Sequence, residues 1–452
     1  MKKLTALFLA AGMVVAASAP ANAVDVKVDA RYQFTFQTQS KQFNGKNLED
    51  VCQRLRLGLT MAASENLSGY LQMQFGTDRW GQRNYKHGTH SFDVAARQAY
   101  IDWKVPATAI KVRMGRQEVG LPTEAFGDNS VLSKSWGVHD GIVVAAPVTD
   151  WLGLSALWMR AGANGTDVDA NSNTDFFAAV ANLKFNGISG SIYAAYAALD
   201  GGFDTSATDA TVNGATNSGK VNVDIAQDLP NYYGEAYWVG ATATLSYFDP
   251  FTLKLSAVYG EATPDKATAD DYERKGWNVQ AKASYKLGFG TPVLGAWYAA
   301  GDDDYAGEAN MPSLAGRFQP TRTYNDRAAC ALYAGSSRID MDGTWGVQAG
   351  IEGMSFISGL THEFLVTYVQ GTNDKKFVDN AKYDYLTTED AFVSFDLVNT
   401  YKIYKNLTAY LELSYIINDF SDASVQNAAA RGSKVVLDED DWRVGLTFEY
   451  KF

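Results

Sequence analysis

The chain predicts an all-β fold, a transmembrane antiparallel β-barrel of eighteen strands. Three observations carry this: side chains alternate apolar and polar at both ends, short and long connections alternate between amphipathic segments, and an export leader has no membrane helix behind it. Over Trp442 to Phe452 an apolar side chain fills every even position and a polar residue or glycine every odd one. Val26, Val28, Ala30, Tyr32, Phe34 and Phe36 alternate in the same way with Lys27, Asp29, Arg31, Gln33, Thr35 and Gln37. Successive side chains of a strand point to opposite faces, so each end has one greasy and one wet face. A sheet that begins and ends this way can close on itself with lipid outside and water inside.

Met1 to Ala23 reads as a secretory signal: Lys2 and Lys3, the apolar run Leu4 to Ala17, then Ala21-Asn22-Ala23 as a small-x-small cleavage site. Two units follow, a signal peptide at residues 1–23 and one β-barrel domain at residues 24–452. Without Lys2 and Lys3 the chain carries 37 basic and 51 acidic side chains, a net charge of −14, which speaks against a nucleic-acid partner. Beyond the leader no apolar run is long enough for a membrane helix. The 40 glycines, 25 tyrosines and 23 phenylalanines favour strands and turns, and only 10 prolines leave most ladders unbroken.

In chain order the amphipathic segments fall at 26–38, 52–61, 69–76, 95–103, 110–117, 141–147, 151–160, 176–185, 189–199, 236–247, 251–260, 276–287, 293–300, 344–353, 361–371, 390–402, 407–417 and 441–452. Merging the segments around 141–160 or 293–353 gives the alternative of sixteen strands. Their lengths suit tilted strands of about 9–11 residues crossing a bilayer. Short links such as Val148 to Asp150, Asn186 to Ile188 and Ile403 to Asn406 alternate with long ones. The long ones are Ser40 to Val51, Thr77 to Val94, Glu118 to Asp140, Ala161 to Asp175, Asp200 to Glu235, Glu261 to Lys275, Gly301 to Gly343, Thr372 to Glu389 and Asn418 to Asp440. All long links therefore leave one side of the sheet, the pattern of short periplasmic turns and long extracellular loops. Rings near strand ends, among them Tyr70, Tyr100, Trp103, Trp151, Tyr237, Trp238, Trp297 and Tyr404, suit the headgroup level.

The third long link keeps Leu121, Phe126, Val131, Leu132, Trp136 and Val138, more apolar surface than a loop in water can use. It is expected to fold into the lumen and present Glu118, Glu124 and Asp128 to water; the alternative is a loop that covers the barrel top or packs on a neighbouring subunit. With Leu55, Leu57 and Leu59 toward lipid, Arg54 and Arg56 face the lumen, and Lys111 and Arg113 do so by the same rule. Lys27, Arg31 and Arg443 join them from the strands that meet at closure. A basic wall opposite an acidic loop sets up a transverse field in a narrow aqueous gap. Arg116 sits where the alternation slips, at Gly115 to Gln117, and is placed at the rim or constriction.

Other motifs carry less. His87-x-x-His90 has no nearby cysteine to complete a tetrahedral metal set. The acidic runs Asp302 to Asp304 and Asp438 to Asp441 can collect calcium, yet they lack the spacing of a calcium-binding helix-loop-helix and read first as charged outer loops, so no cofactor is expected. No nucleotide loop or H-E-x-x-H is present. The neighbours His139-Asp140 and His362-Glu363 point opposite ways on a strand, so no catalytic residue is assigned and no enzyme is expected. Cys52 and Cys330 lie in or beside the first and seventh long links and can form a bridge or stay separate.

On the leader, the stretch Gly115-Arg116-Gln117-Glu118-Val119-Gly120 and the strand Trp442 to Phe452, the chain resembles the outer-membrane trimeric porins of Gram-negative bacteria. It resembles more closely the homotrimeric porin-like proteins of sulfate-reducing bacteria, over essentially its whole length. The resemblance implies a homotrimer in the cell outer membrane, in contact with lipid and lipopolysaccharide, that passes ions and small hydrophilic solutes by passive diffusion. It also implies a third loop inside the barrel, arginines Arg54, Arg56 and Arg113 facing it, and a terminal Phe452 read by the assembly machinery. General-diffusion members have sixteen strands and substrate-specific ones eighteen, so strand number does not settle selectivity. A structural or adhesive barrel with a blocked lumen is the competing expectation.

Overall fold

The computed structural model describes residues 24–43, 46–80, 94–134, 138–163, 173–199, 233–264, 274–301, 311–314, 316–322, 341, 343–375, 386–422 and 440–452. The strands are β1 (Asp25–Phe43), β2 (Lys46–Ser64), β3 (Leu67–Arg79), β4 (Val94–Lys104), β5 (Lys111–Glu118), β6 (Val138–Pro147), β7 (Leu152–Ala163), β8 (Asn173–Phe185) and β9 (Ile188–Leu199). They continue as β10 (Tyr233–Leu245), β11 (Phe251–Pro264), β12 (Arg274–Tyr285), β13 (Thr291–Ala299), β14 (Thr344–Ile357), β15 (Leu360–Gly371), β16 (Ala391–Lys402), β17 (Leu407–Asp419) and β18 (Asp441–Lys451). Each pairs antiparallel with the next, and β18 returns to β1 from Arg31↔Lys451 to Gln39↔Arg443, so the eighteen-stranded sheet has no edge. Segments 141–160 and 293–353 are each two strands, which excludes sixteen.

Alternation sorts the two faces as expected. Along β1, Gln33, Thr35 and Gln37 are buried inside the barrel while Tyr32 and Phe36 lie exposed on its outside. Exposed rings and aliphatic chains such as Ile101, Trp103, Leu154, Ile192, Val239 and Leu294 belong in hydrocarbon, where a closed ladder also satisfies every backbone group. Polar side chains zip the closing seam from within: Gln33 donates to Glu449, the Thr35 and Thr447 hydroxyls lie 2.9 Å apart, and Ser40 donates to Asp441. At the very end, Ala30 N donates to the Phe452 carbonyl and Phe452 N to that of Ala30.

Two expectations need correction. The first long link is mostly strand, because β1 and β2 stay paired up to Phe43↔Lys46. Backbone groups pair above the membrane as readily as within it, whereas apolar alternation marks only the lipid-crossing part. Trp238 and Trp297 are not headgroup anchors; they are 1% and 4% exposed, inside the barrel. Tyr70 and Tyr100 also face inward, the first bonded to Gln72 and the second beneath Arg113.

The inward tryptophans mark two apolar clusters inside the lumen. One joins Leu157, Met159, Phe176, Trp238 and Val258 of β7–β11 to Val119, Leu121, Val131, Leu132, Met311 and Leu314. The other joins Trp297, Val369, Phe392 and Ile416 of β13–β17 to Phe318, Met341 and Leu386, with Phe126 against it. Residues 119–134 of the third long link (loop L3) and 311–314, 316–322 and 341 of the seventh (loop L7) supply most of the non-strand members, so these parts of both loops lie inside the barrel.

Candidate functional site: the pore lining

Register places the basic wall. Arg31↔Arg56 and Gln33↔Arg54 pair across β1 and β2, Arg56↔Gln74 across β2 and β3, and Lys104↔Lys111 and Asp102↔Arg113 across β4 and β5. Arg54 donates to Gln33 Oε1 (2.5 Å), and Arg56 Nε to Gln74 Oε1 (2.9 Å). The charges of Arg31, Arg54 and Arg97 all bear on Arg56, with Glu118 the acid acting on it from nearby. Three neighbours have carboxylate partners: Arg31 pairs with Glu449, Arg97 with Glu118, and Arg113 with Asp102 through two bonds of 2.6 and 2.8 Å. Among the described residues, Arg56 forms no ion pair.

Of the basic residues expected at the constriction, Arg54 and Arg56 stand together at the centre of this cluster. Arg113 stacks over Tyr100, 4.0 Å from the ring centre, and is held by Asp102. Lys111 lies exposed opposite Lys104, beside the short 105–110 turn. Arg97 belongs to the cluster and was hidden from parity: it sits at a bulge between Gln72 and Met73, and donates to Gln72 Oε1 (3.0 Å). Arg116 is outside. It shares the parity of Val112 and Met114, pairs with Ala99 and Asp140, and forms two bonds with Asp140 (3.0 and 2.9 Å). The expected slip is absent: alternation runs unbroken from Lys111 to Gln117, which folds inward onto Gly141, and Gly115 at φ +123° occupies a place where a Cβ would lie 2.4 Å from the Ala99 carbonyl oxygen.

L3 is an arm laid along the opposite wall. Leu121 N donates to the Leu132 carbonyl (3.0 Å), and Asn129 Oδ1 accepts from Val131 and Leu132 N (2.9 and 3.1 Å), which folds the arm back on itself. The expected acids are not equally wet. Glu118 pairs with Arg97 and Asp128 is half-buried, whereas Glu124 is 4% exposed and accepts from Ser130 and Gln280. Burial pushes the Glu124 carboxyl up to about 7, against the pull of those hydrogen bonds.

L7 braces this arm. Leu314 N donates to the Val131 carbonyl (3.0 Å), Arg317 N to that of Asn129 (2.8 Å), and Ser313 Oγ to that of Ser130 (2.8 Å). Trp238 Nε1 donates to the Pro312 carbonyl (2.7 Å), Gln348 to that of Pro320 (2.8 Å), and Arg322 pairs with Glu363. Such an infolded seventh loop was not expected. Its signal was Met311, Leu314 and Phe318 in a long link, together with strands β7–β10 that are apolar on both faces.

Other expected sites are placed as follows. Cys52 is fully buried and disulfide-bonded, whereas Cys330 lies outside the described residues. His87, His90, Asp302, Asp303 and Asp304 also lie outside them. Among the described residues no three His, Cys, Asp or Glu side chains group to hold a metal, and Asp440 and Asp441 accept hydrogen bonds from Tyr415 and Ser40. His139 is buried inside while Asp140 points out, and His362 bonds Asn399 while Glu363 holds Arg322.

A closed eighteen-stranded barrel with an arginine wall and infolded loops defines an outer-membrane channel. A family model of Gram-negative porins matches residues 4–318, and the chain belongs to that family. It is therefore an outer-membrane diffusion channel in contact with lipid and small solutes, and not an enzyme. No curated protein matches the chain. Among solved structures, Pseudomonas aeruginosa OccK2 (OpdF) in complex with glucuronate is similar at 13% identity and TM-score 0.57, covering 95% of this chain and 98% of that one. OccK11 (OpdR) of the same organism matches at 12% and 0.56, covering 95% and 96%. OccK9 (OpdG), also from P. aeruginosa, matches at 15% and 0.55, covering 95% and 99%. At these identities the likeness is one of fold.

Proposed function

We propose that this channel passes ions and small hydrophilic solutes by passive diffusion with a preference for anions, and that Arg54 and Arg56, flanked by Arg31 and Arg97, set that preference. The observation that carries the reading is Arg56, an inward guanidinium among other arginines whose one hydrogen bond among the described residues goes to an amide oxygen. An anion passing there meets positive charge in a low-dielectric gap, where screening is weak. The OccK2 structure holds glucuronate, a carboxylate-bearing sugar, and this chemistry suits such a wall. Lys111 would extend the wall toward the periplasm, with Arg113 held beside it by Asp102.

Reversal potentials of the purified protein in planar bilayers under a salt gradient test this. Neutralising Arg54, Arg56 and Arg113 together to glutamine is expected to shift permeability toward cations, and an unchanged ratio overturns their pore-facing role. The competing reading, a structural or adhesive barrel, has one observation in its favour: two loops occupy the lumen. A folded protein that gives no current steps would establish it.

Three further assignments belong to the same proposal. Residues 1–23 are a cleaved leader ahead of the barrel at 24–452, tested by the mass of the mature protein. The assembly is a homotrimer like the porin-like proteins of sulfate-reducing bacteria, supported by outward alanines such as Ala156, Ala179 and Ala194 that let walls approach, and tested by triplet current steps. Cys52 is bridged to Cys330, the one other cysteine in the chain; alkylation of both thiols without prior reduction would refute it.

A further inference from the structure

The geometry points to a proton-sensitive latch at the tip of L3, in which Glu124, Gln280 and Ser256 hold the arm against β11 and β12 and so set the width of the passage. The inference rests on conduction through the lumen. The tip is one tight turn, in which Glu124 N donates to the Asp128 carbonyl (2.7 Å) and Gly127 N to that of Glu124 (3.1 Å). Gly127 and Asp128 take φ of +96° and +47° to make it.

Three hydrogen bonds join this turn to the wall. Ala125 N donates to Ser256 Oγ (3.1 Å), Phe126 N to Gln280 Oε1 (3.2 Å), and Gln280 Nε2 to Glu124 Oε2 (2.6 Å). The other carboxylate oxygen accepts from Ser130 N (3.1 Å) and Ser130 Oγ (2.7 Å). One side chain thus ties the two limbs of the arm to each other and to β12. Ser130 is also the residue whose carbonyl accepts from Ser313 of L7, so the latch reaches the brace. Gln280 and Ser256 act through the arm and are positioning residues.

A carboxyl in this place is unusual because it is dry. Burial outweighs its three donors, and Asp128 adds to the effect, so the group titrates at about 7. Among the described residues, the other charged or titratable groups around it are Asp128 on the arm, Tyr193 of β9 bonded to Asn129, Lys282 of β12 held by Glu352 of β14, and Arg317 of L7. None of these neighbours is a histidine, and Glu124 is the group of the arm whose carboxyl burial brings into the neutral range. The docked arm holds the proton more tightly than a hydrated arm, whose glutamate titrates near 4.5. Docking is therefore strongest at low pH and weakens as pH rises from the hydrated value through the docked one. The difference corresponds to roughly 300-fold in the docking constant.

Hydrogen exchange on the whole protein in detergent, corrected for intrinsic rates, reads this directly. Protection of the Ala125, Phe126 and Ser130 amides is expected to fall by about 100-fold between about pH 5 and pH 8 in the wild type, and by less than about twofold in Glu124→Gln. Gln280→Leu is expected to show low protection at both pH values. In bilayers, open-channel noise should rise with pH in the wild type and stay flat in Glu124→Gln. Equal wild-type protection at both pH values, or an unchanged pH response in Glu124→Gln, overturns the latch. A pH-dependent arm in a protein that carries no current overturns the conduction on which the inference rests and leaves the docking chemistry standing.

Discussion

On β1–β5 the inner face carries arginines met one by one by carboxylates and amides: Arg31 by Glu449, Arg54 by Gln33, Arg56 by Gln74, Arg97 by Glu118 and Arg113 by Asp102. On β7–β11 the inner face carries Leu157, Met159, Phe176, Trp238 and Val258, shielded by L3 and L7. One half of the wall accepts water and answers it with polar partners; the other excludes water with chain folded inward. The contrast teaches that burial energy and electric field reside on different arcs of one barrel. Changes on the loop-covered arc should therefore alter stability and aperture with little effect on ion preference, and changes on the arginine arc the reverse.

The largest expected effect breaks the covered arc. Trp238→Ala removes a side chain 1% exposed and leaves the Pro312 carbonyl without its donor. Truncating a buried tryptophan costs about 3–5 kcal/mol. Residues 311–322 should lose hydrogen-exchange protection and open-channel noise should rise, while the reversal potential stays put. A shifted reversal potential with protection intact would mean that the two arcs are not separable.

A sharper contrast lies within the arginine arc. Arg56→Gln removes a charge with no carboxylate bonded to it among the described residues, and the anion preference is expected to drop severalfold. The double change Arg113→Gln with Asp102→Asn removes a mutually neutralised pair, and the permeability ratio should stay within about 1.5-fold, as expected where opposite charges a hydrogen bond apart cancel at a distance. Reversal potentials at low and high salt measure both. The Arg56 effect should shrink at high salt, where screening is stronger.

How much of this was legible in the sequence follows from which forces act locally. Side-chain alternation has a period of two and is set by the strand itself, so all eighteen strands and the inward direction of Arg54 and Arg56 could be read from residue order. The fold of L3 was legible because Leu121, Phe126, Val131 and Leu132 cannot be spared in an exposed loop. Arg97 was not, because a single bulge opposite Gln72 reverses parity, and nothing in Ala95-Ala96-Arg97 announces it. L7 escaped because its partners are far away in the chain: Val131, Trp238, Gln348 and Glu363. The clue it left lies on the strands it covers. Leu157-Trp158-Met159 and Phe176-Phe177 are apolar on both faces, which a strand between lipid and water has no reason to be.

The smallest expected effect concerns the outer face and tests the parity argument at the one residue where it was uncertain. Arg116 and Asp140 form a two-bond ion pair with side chains 50% and 59% exposed. An exposed pair of this kind contributes about 0–1 kcal/mol. The double change Arg116→Ala with Asp140→Ala should thus leave thermal stability nearly unchanged. More tellingly, it should leave the reversal potential unchanged, because the pair stands across the backbone from the passage. Were Arg116 a constriction residue, its removal would move the potential in the same direction as Arg56→Gln, and the outward placement of β5 above Gly115 would have to be abandoned.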